Sequence, residues 1–190
     1  MMNDYFFDVI PDEQTPITPE IEDVNAFIEE NLNTIAAFRV FAINTSNAIG
    51  LAANQCNLNG KRFNLRLAAI KDIKTMATVI AIDPKIVESY GIVRTKAEGC
   101  LTWKDKMIVA ERHHFVDVEY YTMDGELHKE THKAYQGQVW QHEINHINGV
   151  EEVVKKTWEK YEEKNEGKVQ RNDLCPCGSK RKYKRCCIDG

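Results

Sequence analysis

The chain lacks any apolar run long enough to cross a membrane, which would take about 20 consecutive apolar residues. Its first 13 residues are acidic and contain no basic region followed by an apolar stretch, so they do not resemble a secretory signal. We therefore expect a protein that neither spans a membrane nor is exported through one.

The sequence also lacks an internal repeat and an evenly spaced set of cysteines. Four of its six cysteines fall within the last 16 residues, and only Cys56 and Cys100 lie in the rest of the chain. Without a secretory signal, a framework of disulfides is disfavoured. Metal binding or thiol chemistry is the better interpretation of these cysteines.

The chain does contain enough apolar sequence for one folded body. Of its 190 residues, 43% are apolar and 28% are charged, as in ordinary globular domains. The polar stretch Asn165-Glu166-Gly167 indicates a linker after that body. We therefore divide the chain into a catalytic body at 1–164, a linker at 165–170 and a tail at 171–190.

The tail differs from the body in charge. Residues 168–190 contain seven basic and two acidic residues, a net charge of +5. The whole chain carries −4, so its other 167 residues carry −9. A basic tail on an acidic body predicts an anionic partner, either a nucleic acid or an acidic protein face. A solvated lysine-rich terminus is the plainer alternative.

Apolar spacing and turn signals predict a mixed body of helices and strands. The first helix should begin with Thr18 at the N-cap and Pro19 at the first helical position, and end near Ile43. Asp124-Gly125 predicts a β-hairpin. Two further helices are predicted at 132–147 and 150–161. Strands are predicted at 63–69, 75–82, 86–90, 107–110, 115–121 and 126–131.

The pentapeptide His142-Glu143-Ile144-Asn145-His146 carries the clearest chemical signal. On a helix, histidines four residues apart lie on one face, so both imidazoles can bind one divalent metal. Glu143 would lie beside them as a proton carrier. The alternative is a solvent-facing helix whose histidines bind nothing.

A catalytic metal held by two histidines needs a third protein ligand, and spacing leaves two candidates. Glu152 falls where metalloproteases of the metzincin type place their last ligand, although that position is usually histidine. Cys100 would instead reach the site from a strand. Three protein ligands leave one position open for water, which is typical of catalytic metal sites.

Three segments, in this order, resemble the peptide deformylase family: Gly50-Leu51-Ala52-Ala53-x-Gln55, Glu98-Gly99-Cys100-Leu101 and His142-Glu143-x-x-His146. The resemblance spans about residues 15–155. It implies the α+β fold of that family, in which short, mostly antiparallel strands surround a central metal-bearing helix. It also favours Cys100 over Glu152 as the third ligand.

The resemblance implies roles at the matching positions. The catalytic metal would be held by Cys100, His142 and His146, and Glu143 would be the general acid and base. The substrate carbonyl oxygen would be held by Gln55 and the backbone N–H of Leu101. The positions implied in substrate binding are Ile49, Gly50 and Val139. A supporting ion pair beneath the site is expected from Glu98 and Arg112.

Four positions depart from the usual pattern of that family: Ala48 stands for glycine, Asn54 for proline, Thr102 for serine and Asn145 for aspartate. Asn145 removes a charge close to the expected ligands. If that position supports the site, metal affinity or ligand basicity would fall. None of the six residues assigned direct chemistry is changed.

The resemblance implies removal of the N-formyl group from the initiator methionine of nascent polypeptides, with release of formate. The implied cofactor is Fe²⁺, with Zn²⁺, Ni²⁺ or Co²⁺ as substitutes, and a ligand set with one thiolate suits all four metals. We expect a monomer in the cytoplasm of a bacterium or of a virus-infected bacterial host, with an organellar copy left open. Two other functions remain open: a catalytically impaired deformylase-like protein that binds ribosomes, and a zinc endopeptidase that uses Glu152.

The tail resembles the SEC-C motif, best known at the end of the bacterial preprotein translocase ATPase. Its four cysteines offer a closed tetrahedral set of thiolates, which predicts a structural Zn²⁺ site formed by Cys175, Cys177, Cys186 and Cys187. About 20 residues cannot bury a core, so zinc would have to hold the tail together. The expected partner of the tail is the ribosome or an acidic protein. A redox-sensitive basic tail without metal is the alternative.

Overall fold

The computed structural model describes residues 5–104, 106–150, 153–155, 171–174 and 181–185. The helices in these residues are α1 (Val24–Asn44) and α2 (Ala134–Ile147). The strands are β1 (Phe7–Val9), β2 (Gly50–Ala52), β3 (Cys56–Leu58), β4 (Lys61–Arg62), β5 (Leu67–Lys71), β6 (Thr78–Glu98), β7 (Met107–Tyr121), β8 (Leu127–Lys133) and β9 (Val153–Lys155). Single 3₁₀ turns lie at Ala53–Gln55 and Tyr183–Arg185. Neither described helix is long and apolar enough to span a membrane.

Six strands form one antiparallel sheet in the order β2-β5-β6-β7-β8, with β9 also paired to β7. The two long strands run side by side from Ile82 opposite Tyr121 to Glu98 opposite Ile108. The predicted hairpin is present between β7 and β8. Gly125 has a φ of 81° there, a left-handed conformation that glycine adopts readily. A second sheet consists of β1, β3 and β4.

Helix α2 packs on the six-stranded sheet through its apolar residues. Trp140, Ile144 and Ile147 are almost fully buried and form one core cluster with Val116 and Val118 of β7. The same helix carries His142 and Glu143, which line a cleft. Burial of the apolar residues therefore fixes the position of the polar ones.

Helix α1 contributes to a second core. Ile35 and Phe38 have no exposed surface and cluster with Leu51, Leu67 and other buried residues of the strands. Aromatic rings reinforce this core, because the ring centroids of Phe38 and Phe63 are 5.4 Å apart. The α+β prediction, with antiparallel strands around the helix that carries the histidine pair, is confirmed.

The predicted start of the first helix is wrong. Helix α1 begins at Val24, and Asp23 is its N-cap, because the Asp23 carboxylate accepts a hydrogen bond of 3.0 Å from the Ala26 N–H. The hydroxyl and the backbone N–H of Thr18 both donate to the carbonyl of Ile147 at the end of α2. Thr18, which the local sequence favours as an N-cap, therefore binds the carbonyl of Ile147, a residue far away in sequence, instead of capping a helix.

Other predicted elements also differ from the observed ones. The third predicted helix, at 150–161, is wrong at Val153–Lys155, which is strand β9 and pairs with Met107–Val109 of β7. Residues 78–82 of one predicted strand and all of the predicted strand 86–90 belong to the single strand β6, which continues past a register shift between Ile82 and Lys85. A β-bulge kinks a strand without ending it, so the residues between the two predicted strands do not separate two elements.

Candidate metal centre

Three potential metal ligands meet where β6 ends beside α2. His142 and His146 lie one helical turn apart, with their Nε2 atoms 3.2 Å from each other. Cys100 lies two residues after Glu98, the last residue of β6, and its Sγ lies 3.3 Å from His146 Nε2. The ligand atoms of all three residues lie within 4.8 Å of one another.

This donor set fits one divalent metal ion. Metal–sulfur distances of about 2.3 Å and metal–nitrogen distances of about 2.0–2.1 Å separate the ligands of a tetrahedral ion by about 3.3–3.6 Å. The two short separations seen here are close to that range. Burial above all holds the pKa of His146 well below its usual value. A neutral imidazole has the lone pair that a metal requires.

His142 is held by a buried carboxylate. Glu98 Oε2 lies 2.8 Å from His142 Nδ1, and Glu98 also accepts hydrogen bonds of 2.8 and 2.6 Å from Arg112. Burial alone would raise the pKa of Glu98, but the hydrogen bonds from Arg112 and His142 outweigh it and lower the pKa to about 2. An ionised Glu98 accepts from Nδ1–H and leaves Nε2 of His142 for a metal.

Asn145 contacts Arg112, the partner of Glu98 in this ion pair. In the amide orientation that satisfies both ends, its oxygen accepts a 2.8 Å hydrogen bond from Arg112 Nη1 and its nitrogen donates to the Gln141 carbonyl at 3.2 Å. Arg112 is thus bound by Glu98 on one side and by Asn145 on the other. The asparagine keeps the hydrogen bond to Arg112 without adding a second negative charge.

His146 is held by residues from two distant segments. Thr15 Oγ1 lies 3.3 Å from His146 Nδ1 and donates to the His146 carbonyl at 2.9 Å. The Asn54 amide donates to the same carbonyl at 2.6 Å and to the Pro16 carbonyl at 2.8 Å. The departure at position 54 therefore has a structural role, because a proline side chain has no hydrogen to donate.

Gln55 has a fixed orientation next to Cys100. Its Oε1 accepts from the Ala52 N–H at 2.8 Å, which turns its amide nitrogen toward Cys100 Sγ at 3.3 Å and Thr102 Oγ1 at 3.1 Å. Thr102, another departure, keeps the hydroxyl that a serine would offer to Gln55. Leu101 lines the cleft with Gln55 and Cys100, on a turn closed by a 3.1 Å hydrogen bond from the Trp103 N–H to the Cys100 carbonyl.

Two of the three ligands, Cys100 and His142, line a cleft of about 780 Å³, and the buried His146 lies next to them. Glu143 and Gly50 line the floor, and the buried Ala48 and Val139 line the walls together with Ile49. The rim includes Tyr135, Lys104 and Lys106. The structure thus brings all of the proposed substrate-binding positions into one cavity, which can admit the end of a peptide.

Sequence reasoning missed two contacts in this site. It did not foresee that Glu98 contacts His142, although the Glu98–Arg112 ion pair was expected. It gave no role to Thr15, which lies in a stretch with no regular pattern. A hydroxyl in such a stretch gives no local signal, because its partner lies 131 positions away.

Several predicted residues lie outside the described parts of the chain. These are Glu152 and the four tail cysteines, Cys175, Cys177, Cys186 and Cys187. The described tail residues include an antiparallel bridge between Leu174 and Lys182. Arg94 of β6 donates a 3.4 Å hydrogen bond to the Tyr183 hydroxyl, which brings this part of the tail against the body.

Comparison with known families gives two matches. Residues 7–158 match the polypeptide deformylase family, and residues 171–188 match the SEC-C motif. The first match covers most of the chain, including all the residues of the cleft floor.

Individual relatives agree with this match. A peptide deformylase of Mesorhizobium japonicum is 30% identical over 142 residues, which cover 75% of this chain and 78% of that protein. One from Thermotoga neapolitana is 29% identical over 135 residues, covering 71% and 73%. The crystal structure of the Thermotoga maritima peptide deformylase superposes with a TM-score of 0.61 at 25% identity, covering 76% of this chain and 92% of that one.

Proposed function

The chain belongs to the peptide deformylase family, and we propose that its cleft is where the N-formyl group of nascent polypeptides is hydrolysed. The protein is accordingly a metal-dependent hydrolase that removes the formyl group from the initiator methionine and releases formate. One observation carries the proposal: Cys100, His142 and His146 meet at one point, and two of them line an open cleft together with Glu143.

The proposed cofactor of this site is Fe²⁺, with Zn²⁺, Ni²⁺ or Co²⁺ as substitutes. Cys100, His142 and His146 would hold it, and one thiolate with two imidazoles is a donor set that suits these metals. Such an ion supplies Lewis-acid activation of a water molecule and of the formyl carbonyl group. The ionised Glu98 and its partner Arg112 keep the His142 ring oriented for binding.

Glu143 is the proposed proton carrier. It lines the cleft one residue from His142 and is itself 4% exposed. Its carboxylate would take a proton from the attacking water and pass it to the nitrogen of the departing methionine. The reaction thus breaks the formyl C–N bond and yields formate and a free amino terminus.

Gln55 and the backbone N–H of Leu101 are the proposed donors to the carbonyl oxygen. The Ala52 N–H holds the Gln55 oxygen, so the Gln55 amide nitrogen already faces the Cys100 sulfur and the cleft before substrate binds. A donor fixed in advance stabilises the charge that develops on the oxygen as the carbonyl is attacked. Ile49, Gly50 and Val139 would bind the peptide backbone and the methionine side chain.

The direct test is formate release from a formyl-methionyl tripeptide by iron-loaded chain purified without oxygen. The matched control is Glu143→Ala, which should keep the metal and lose most turnover, because it removes the proton carrier and no ligand. Loaded wild-type chain that releases no formate would indicate a deformylase-like binding protein. Hydrolysis of casein would indicate an endopeptidase instead.

The tail is proposed to be a separate module after a catalytic unit at 1–164 and a linker at 165–170. Its match to the SEC-C motif and its four cysteines support a structural Zn²⁺ site. Its net charge of +5 supports an anionic partner, for which we propose the ribosome surface, with an acidic protein as the alternative. We further propose a cytoplasmic monomer that meets its substrate as the substrate leaves the ribosome.

A further inference from the structure

We propose that Thr15 is a positioning residue for the ligand His146, because one hydroxyl fixes which ring nitrogen carries the hydrogen. The inference rests on the proposed metal site and adds to it a residue outside all three of its sequence motifs. Thr15 is 5% exposed and His146 is 2% exposed, so water does not compete freely for this contact. The Thr15 hydroxyl oxygen lies 2.9 Å from the His146 carbonyl oxygen and 3.3 Å from Nδ1 of the same residue.

The two distances indicate the direction of the second contact. A threonine hydroxyl has one hydrogen, and the carbonyl oxygen at 2.9 Å, which can only accept, is nearer to it than Nδ1 at 3.3 Å, so we assign the hydrogen to the carbonyl. The oxygen then presents a lone pair to Nδ1. If Nδ1 of His146 also carried a lone pair, the two lone pairs would repel each other. If Nδ1 carries a hydrogen, it donates a hydrogen bond to the Thr15 oxygen. Thr15 therefore favours the ring form with its hydrogen on Nδ1.

This ring form makes His146 a ligand. With the hydrogen on Nδ1, the lone pair lies on Nε2, the atom that is 3.3 Å from Cys100 Sγ and 3.2 Å from His142 Nε2. The opposite form would place an N–H among the ligands and would have to be reversed before a metal could bind. Thr15 thereby removes the free-energy cost of moving the ring hydrogen before the metal binds.

The two histidines are held by acceptors of different kinds. Glu98, a carboxylate, faces Nδ1 of His142, and Thr15, a neutral hydroxyl, faces Nδ1 of His146. A neutral acceptor orients the ring without adding negative charge next to the sulfur of Cys100. The site thus keeps one carboxylate beneath it, already neutralised by Arg112.

A purely structural role for Thr15 is the competing explanation, because the same hydroxyl binds a carbonyl at the end of α2. Thr18 provides the matched control. Its hydroxyl donates to the next carbonyl, that of Ile147, at 3.0 Å, and it is 2% exposed. Thr18→Val therefore removes a buried hydroxyl from the same helix end without touching the imidazole.

The experiment follows the ring nitrogens of the full-length chain labelled with ¹⁵N-histidine. All six histidines lie between residues 113 and 146, so the tail contributes no signal. His146 is assigned by its loss in His146→Gln. Long-range proton–nitrogen correlations identify the nitrogen that carries hydrogen, and zinc affinity is obtained from competition with a chelator followed on the same signals.

We expect the metal-free wild-type chain to carry its His146 hydrogen on Nδ1. Thr15→Val should weaken zinc binding by about 10–100-fold, and Thr15→Ser, which keeps the hydroxyl, should restore it to within about threefold. Thr18→Val should lower the melting temperature but leave zinc affinity within about threefold of wild type.

The outcomes separate this inference from the proposed function. Histidine signals of the wild-type chain that do not respond to zinc would refute the metal site itself. A responsive wild-type chain with its metal-free hydrogen on Nε2 would overturn only the role of Thr15, even if Thr15→Val fails to fold. Equal zinc affinities of Thr15→Val and wild type, or equal losses in Thr15→Val and Thr18→Val, would overturn that role as well.

Discussion

The carboxylate of Glu143 occupies the space that a side chain at Gly50 would need. A Cβ atom at residue 50 would lie only 2.7 Å from both Cγ and Cδ of Glu143. Such distances are well inside van der Waals contact, so the two groups cannot coexist in these positions. The smallest residue of β2 thus determines where the proposed proton carrier lies.

Gly50→Ala should therefore displace Glu143 and lower turnover by about 10²–10⁴-fold, the usual contribution of general acid–base catalysis. Bound metal should not change, because no ligand is touched. The control is Gly99→Ala, whose added methyl group would meet no atom within 4 Å. Turnover and metal content of both variants decide the matter, and near-normal turnover of Gly50→Ala would contradict the steric account.

Cys100→Ala should remove the metal of the cleft and leave the proposed zinc of the tail. Total bound metal should then fall from about two ions per chain to about one, as measured by elemental analysis. Glu152→Ala is the control, because it tests the alternative third ligand and should keep both ions. If only the Glu152 variant lost metal, Glu152 and not Cys100 would be the third ligand.

Gln55→Ala should reduce turnover by about 10²–10³-fold if the amide is a carbonyl-oxygen donor of ordinary strength. Metal content should stay constant, because Gln55 contacts the Cys100 sulfur but need not coordinate the ion. Kinetics with a formyl-methionyl tripeptide measure the effect. Should the rate stay near normal, Gln55 has no part in the reaction.

Arg66→Met should destabilise the fold without altering the chemistry of the cleft. The Arg66 guanidinium makes a buried 2.7 Å ion pair with Asp83 and donates to Asn148 at 2.9 Å. Its loss leaves the buried Asp83 carboxylate paired only with the half-exposed Lys85, which should cost about 3 kcal/mol of unfolding free energy, the lower end of the range for a broken buried pair. Lys85→Met removes the half-exposed partner of the same carboxylate and should cost less than about 1 kcal/mol. Urea unfolding of both variants tests this, and equal losses would contradict it.

Removal of the tail after Gly167 should leave turnover of short formyl peptides unchanged and weaken co-sedimentation with ribosomes. A closed four-cysteine zinc site has no free position for chemistry, whereas tethering raises the effective concentration of the enzyme near its substrate. Contacts between basic residues and phosphate weaken steeply with salt, so the difference between the two chains should shrink as salt rises. Equal sedimentation at low salt would exclude the ribosome and leave an acidic protein as the partner.

The sequence by itself determined the features that depend on neighbours along the chain. The mixture of helices and strands, the hairpin at Asp124-Gly125 and the helix that carries His142 and His146 follow from periodicity and turn chemistry, which act over a few residues. The α+β arrangement followed from the resemblance to the family. Family motifs singled out Cys100 and Gln55, and the structure places both beside that helix, although their roles remain predictions.

Only the tertiary structure decided the features that depend on partners far away in sequence. Thr18 binds Ile147 instead of starting a helix, and Thr15 faces His146, because carbonyls at the end of α2 need donors and the chain supplies them from over 120 residues away. β9 forms because the edge of β7 offers unpaired backbone groups, and these outweigh the helical spacing of its valines. Such hydrogen bonds leave no periodic pattern in the sequence, so their partners become visible only when the chain has folded.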